Sequence, residues 1–407
     1  MRLTVPAPAL ARSWRSMATP GVVDALFLFI TLRVVFGLVA AYLWATATLP
    51  GPCHFELARD GWTTIPPLAD QGAAFPLVGV FQRWDACWYS KVATFGYEPG
   101  IDSANFWPLF PALMGLVGRL PGLSIALGGL VVAGIGYIAA MVGLERLVAR
   151  DFDRETARRT VVAISIWPAA FFFFVPFTES VFLATTVWAV LAARERIWWW
   201  AVAAALLASL TRIQGLFLVL PLGWEAFCAW REARPDAPGG LVASLRPMVV
   251  PGLAVLAPFV GFVGFLVFSG LVTGQTPLDT QDAWGGKNFH PPWDVFAAAW
   301  QWTIDHHDPL EALNLVTLAL FLILLVLGIR RLPLSYTLLA AAQLLLIATR
   351  IQPTPLTSTA RLVAVVFPAF VVLAQVRSPR LQLAWVIGST MFLAVLLSSF
   401  LHGDWVA

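Results

Sequence analysis

Charge is scarce in this chain: Asp, Glu, Lys and Arg together make up 12% of its 407 residues, against 59% hydrophobic residues. That balance excludes an ordinary soluble globular domain. Lysine is almost missing, with only Lys91 and Lys287 among 26 Lys and Arg residues. The formal charge of +3 is small and dispersed, which excludes the concentrated basic surface of a nucleic-acid binder. No nucleic-acid partner is therefore expected. Cysteine is rare as well, and Cys53, Cys87 and Cys228 match no metal-site spacing. No internal repeat is visible, which counts against a transporter built from inverted repeats.

What is present is apolar sequence in long runs. A membrane span needs about 20 apolar residues, and the chain has room for about eleven. The run from Val22 to Ala47 is too long for a signal-peptide core and lacks a small-residue cleavage site, so it reads as a retained span. The basic clusters order the rest. They fall at the N-terminus, at Arg146–Arg159, Arg194 and Arg196, Arg231–Arg246, Arg330-Arg331, and Arg377 and Arg380, and all are assigned to the cytoplasm. Spans are then expected at 22–48, 122–145, 158–175, 179–193, 198–211, 214–230, 248–270, 309–328, 334–350, 360–376 and 381–401. The expectation is a single all-α polytopic domain, with residues 1–21 inside and the C-terminus outside. Two outer loops, 49–121 and 271–308, are too long to be connections only. Within them Trp84–Phe95, Phe106–Leu120 and Val295–Ile304 read as helices lying in the interface plane. Taking Phe106–Leu120 as a span instead would put the Arg146–Arg159 cluster outside.

The candidate chemistry lies on the outer side. The first loop carries Arg83-Trp84-Asp85-Ala86-Cys87-Trp88-Tyr89. If Trp84–Phe95 is helical, Asp85, Trp88 and Tyr89 share a face, and Asp85 sits in the first turn, where the helix dipole favours its ionised form. A carboxylate beside lipid headgroups, with aromatics able to stack on a sugar, suits a general base; an interfacial helix with Asp as its cap is the plainer reading. Glu179, at the outer edge between two spans, is either a site residue or a cap. Arg212, Arg361 and Lys287 are the candidates for a phosphate, with snorkelling to headgroups as the alternative. Arg33, inside the first span, is expected to pair with an acidic group on another span. Asp305-His306-His307-Asp308 lacks a supporting ligand set, so no metal is expected there. Cys53 and Cys87 share the outer loop and either pair or remain free thiols. These polar groups gather at outer loops and span ends rather than at mid-membrane, which favours surface chemistry over a transporter or flippase of lipid-linked intermediates.

Several segments taken in order resemble one family. Arg83-Trp84-Asp85 with Trp88, then Gly96-Tyr97, then Phe106-Trp107-Pro108-Leu109-Phe110-Pro111 resembles the first-loop pattern of the PIG-V family, the GPI mannosyltransferase II family and its bacterial relatives. Phe177-Thr178-Glu179-Ser180-Val181-Phe182, Leu210-Thr211-Arg212 with Gly215, Gln281 with Trp284-Gly285, and Arg361 with Phe367-Pro368 resemble its later segments. Phe177 stands where Tyr is usual, and Leu362 where Tyr often follows Arg. The resemblance implies a GT-C-type fold with its active site on the extracytoplasmic face of the plasma membrane. It implies a polyprenyl-phosphate sugar donor, most often mannose, and inverting transfer with Asp85 as base. Arg83, Trp84, Trp88, Tyr89, Glu179, Arg212, Lys287 and Arg361 would then contact substrates. No cofactor is called for. The resemblance is to the bacterial members, for which GPI is not expected, so the acceptor is left as a glycolipid, a glycan or a protein.

Overall fold

The computed structural model describes residues 20–54, 62, 64–68, 72–233, 246–283, 290–351 and 354–406. Among these residues the regular structure is helical, apart from one isolated antiparallel bridge between Ile351 and Pro355. Helix α1 (Pro20–Thr46) is apolar on all sides and leaves most of its surface exposed, as a lipid-facing helix must. The first loop contributes two short helices, α2 (Asp85–Phe95) and α3 (Leu109–Gly118). A 10-residue helix is about 15 Å long, too short to cross a bilayer alone.

The centre of the bundle is α4 (Ile125–Asp151), which packs against α1, α2, α3, α5 (Arg154–Ser165) and α6 (Glu179–Arg194). Its glycines permit close approach. A Cβ on Gly128 would meet the Gly118 backbone of α3 at 2.6 Å, and one on Gly136 would meet Ser180 of α6 at 2.9 Å. Next come α7 (Trp198–Ser209), α8 (Val219–Ala233) and α9 (Val249–Thr273), with α9 packed against both α7 and α8. The second loop holds α10 (Pro277–Ala283) and α11 (Pro292–His306). The last part is α12 (Pro309–Gly328), α13 (Leu334–Ala348), the four-residue α14 (Thr359–Leu362), α15 (Phe367–Ala374) and α16 (Pro379–His402). Asp308 caps α12 through the amides of Leu310 and Glu311 and also accepts from the Trp302 indole. His306 stacks on Trp302, so the Asp305–Asp308 stretch serves as a helix junction.

Among the described residues, six helical stretches are long and apolar enough to span a membrane: 21–46, 125–151, 213–233, 249–273, 309–328 and 379–402. The other five expected spans are shorter helices, and two of them are interrupted. The expected span 158–175 is helical only to Ser165 and then becomes a buried irregular segment with one 3-10 turn, Ala170–Phe173. Pro168 and Pro176 account for this, since each disfavours helical geometry at the residue before it and supplies no N–H. The expected span 360–376 breaks likewise into α14, a 3-10 turn and α15 at Phe367-Pro368. Irregular backbone inside a membrane bundle is tolerated where protein surrounds it, and Trp167–Ser180 is buried throughout. Trp167 donates its indole N–H to the Ala360 carbonyl at 2.7 Å, joining the two interrupted segments.

Polar links fasten the bundle. Arg33 donates to the carbonyls of Phe174 and Leu77 at 3.2 and 2.9 Å, so backbone carbonyls stand in place of the acidic partner expected for it. At the α6 C-terminus, Arg194 pairs with Asp151 at 2.8 Å and with Glu225 at 2.7 Å, Arg196 pairs with Glu225 at 3.1 Å, and Tyr336 donates to Asp151 at 2.7 Å. This network joins α4, α6, α8 and α13 at the end of α6 remote from Glu179.

Candidate active site

Four charged side chains from distant parts of the sequence meet at the N-terminal end of α6. Asp85 opens α2, Glu179 opens α6, Arg212 sits in the turn after α7, and Arg361 lies on α14. Arg361 Nη1 is 2.8 Å from Asp85 Oδ2, and its Nε is 2.6 Å from Glu179 Oε1. Arg212 also pairs with Glu179 Oε1 and reaches the Thr178 hydroxyl at 3.3 Å. The charges alternate Asp85–Arg361–Glu179–Arg212. Glu179 is fully buried, whereas the Asp85 side chain remains 24% exposed and forms the accessible end.

Neither carboxylate acts as a helix cap. The N-cap residues Trp84 and Thr178 make no side-chain capping bond, and Glu179 turns to the arginines instead. Trp84 has φ +52°, a conformation costing about 1–3 kcal/mol for a bulky residue and held only when surroundings impose it. The surroundings of Asp85 are well fixed. Cys53 and Cys87 form a disulfide two residues beyond it, with 5.6 Å between Cα atoms. Arg83, expected to contact substrate, is buried and donates to the carbonyls of Pro50, Gly51 and Leu401, which fastens the loop to α16. Lys91, also buried, binds Thr64 and pairs with Glu98 at 2.9 Å.

The aromatics divide into two groups. Trp88 and Tyr89 are buried against Phe106, with Trp62 on Trp88 and Phe110 on Tyr89, so their faces are packed rather than left open for a sugar. Burial, and then the nearby Asp85 charge, push the Tyr89 hydroxyl well above the usual tyrosine range, so it keeps its proton. Trp84 instead packs edge-on against Trp405 at 5.3 Å. Trp405, Phe172 and Phe177 surround the Arg361 guanidinium at 5.8, 5.2 and 4.7 Å from their ring centres. Trp405 reaches this place because Gly403, at φ +92°, ends α16 with a left-handed residue and returns the chain.

Two site residues escape the sequence reading. Trp405 offers only the weak signal of a tryptophan in a short polar tail. Arg350, just past α13, lies within electrostatic range of both Arg212 and Arg361. Its signal was its place at the same kind of span end as Arg212. Lys287 lies outside the described residues, as do Trp284, Gly285 and the Gln281 side chain. Among the described residues no three His, Cys, Asp or Glu side chains are placed to hold a metal ion.

No protein-family model matches the chain, and no curated protein matches it. Among solved structures, it is similar to ArnT from Cupriavidus metallidurans, crystallised bound to undecaprenyl phosphate. The TM-score is 0.51 at 14% identity, over 92% of this chain and 64% of that one. An oligosaccharyltransferase from Archaeoglobus fulgidus, tethered to an acceptor peptide, gives a TM-score of 0.37 at 14% identity, over 93% and 55%. The chain has a GT-C fold. It spans less than two thirds of the length of the ArnT chain.

Proposed function

We propose that this protein is an inverting glycosyltransferase that moves a sugar from a polyprenyl-phosphate donor to an acceptor hydroxyl. The observation that carries this reading is the convergence of Asp85, Glu179, Arg212 and Arg361 on one ion-pair chain with its carboxylate end accessible. The GT-C fold supports it, and the ArnT structure shows that fold holding a lipid phosphate in another protein. The ordered resemblance to the PIG-V family supports mannose as the sugar, and the placing of the basic clusters supports an extracytoplasmic site in the plasma membrane.

In the proposed reaction Asp85 accepts the proton of the acceptor hydroxyl as its oxygen bonds to the anomeric carbon. The bond from that carbon to the donor phosphate breaks, and polyprenyl phosphate leaves with the electron pair. Each guanidinium has five N–H donors, so Arg212 and Arg361 can hold phosphate oxygens as well as their carboxylate partners, with Arg350 and Lys287 as further cations. Positive charge fixed beforehand stabilises the charge developing on the leaving group. Glu179 holds both arginines in place. Tyr89, still protonated, supplies a neutral neighbour to Asp85.

The test uses purified, lipid-reconstituted protein with radiolabelled polyprenyl-phosphate mannose and a membrane extract as acceptor. Transfer by the wild type, and loss of it in Asp85→Asn with folding and insertion intact, is the expected result. Wild-type activity in Asp85→Asn would remove Asp85 from the mechanism. A second reading, a flippase of lipid-linked glycans, is favoured by the two interrupted segments around the site. Movement of intact donor across the vesicle, with no label on any acceptor, would select it.

A further inference from the structure

Glu311 lies in the first turn of α12 and is only 2% exposed. Asn314 and Thr317 follow at helical spacing and are buried too, so one face of an otherwise apolar helix is polar. A carboxylate inside a membrane bundle is costly and is kept where it serves a function. This face packs against α14. Glu311 Oε2 accepts from the Thr354 hydroxyl at 3.4 Å, and Asn314 stands beside it on the same face of the helix. Asn314 Oδ1 in turn accepts the Ala360 N–H at 3.3 Å, and the Thr354 and Thr357 hydroxyls are 2.6 Å apart. The contacts therefore grip both ends of the segment 354–360, whose next residue is Arg361. Between the grips Leu356 and Ser358 stand at φ +57° and +67°, conformations that an unsupported loop would abandon.

We infer that Glu311, acting through Thr354, is the positioning residue for Arg361, with Asn314 holding the other end of the segment at Ala360. It fixes the segment that presents the guanidinium to Asp85 and Glu179. The catalytic part of the inference rests on the transferase reading; the structural part does not.

The experiment compares wild type with Glu311→Ala, Glu311→Gln and Thr354→Val in two assays: hydrogen exchange over 354–362, and transfer kinetics with polyprenyl-phosphate mannose. Glu311→Ala should speed exchange in that segment alone and lower kcat about 10- to 100-fold with little change in KM, the cost of a misplaced charge. Glu311→Gln, which keeps an acceptor for Thr354, should restore much of both. Thr354→Val removes one hydroxyl from a half-buried loop and should move both readouts the same way, which covers the case that Glu311→Ala does not fold. Unchanged exchange at 354–362, exchange raised equally throughout the bundle, or local loosening with unaltered kcat would each overturn the inference. Should the wild type transfer no sugar, the transferase reading falls, while a local rise in exchange still upholds the positioning of Arg361.

Discussion

Arg361 is the residue on which the site turns, because one guanidinium bridges a carboxylate of the first loop and another of α6. Lysine is a point charge and cannot bond both at once. Arg361→Lys should therefore lower transfer about 100-fold, as the loss of an aimed transition-state donor does elsewhere. Arg361→Ala should also destabilise the fold by about 3–5 kcal/mol, since it strips a partner from the buried Glu179. Thermal unfolding in detergent beside the transfer assay separates the two effects. Asp85, Glu179, Arg212 and Arg361 were legible as isolated charges at the ends of apolar runs. Their pairing was not legible, because residues 85, 179, 212 and 361 are neighbours only after four separate elements have packed. Glu311 gave the same kind of signal, a carboxylate beside an apolar run, but reads as a helix-start residue until its burial is known.

Short elements decide the geometry. The start of α2 is held by the disulfide, by Arg83 on three carbonyls and by the Lys91–Glu98 pair. Cys53 and Cys87 are 34 residues apart, and closing a loop of that size stabilises a fold by about 3–4 kcal/mol in the chain-entropy account. Reductant should therefore lower the melting temperature and the transfer rate of the wild type together, and should leave a Cys53→Ser, Cys87→Ser double variant unchanged. A melting temperature insensitive to reductant would show that the other contacts suffice. The sequence also offered 158–175 and 360–376 as spans, because both are apolar over the needed length. Hydropathy measures the environment a segment enters and is silent on its backbone, which the prolines at 168, 176 and 368 interrupt.

Across the whole molecule, α6 separates two ionic assemblies: the site at Glu179 and the Asp151–Arg194–Glu225–Tyr336 network at the other end. The second assembly joins four helices and touches no part of the first. Glu225→Ala, which leaves Arg194 and Arg196 short of a partner, should lower stability by about 3 kcal/mol or more while transfer per folded molecule stays unchanged. Chemical denaturation and kinetics on the same preparation check this, and a fall in kcat would show that the two ends communicate. Composition and apolar periodicity by themselves determined that this is an all-helical chain of repeated membrane segments, with an unusual first loop, because transfer of apolar side chains out of water depends on residue type and run length alone. The tertiary structure decided which charges meet, which aromatics are packed and which stand around Arg361, and which apolar runs unwind. Those outcomes depend on contacts between residues hundreds of positions apart, and a buried charge settles only where packing supplies its partner.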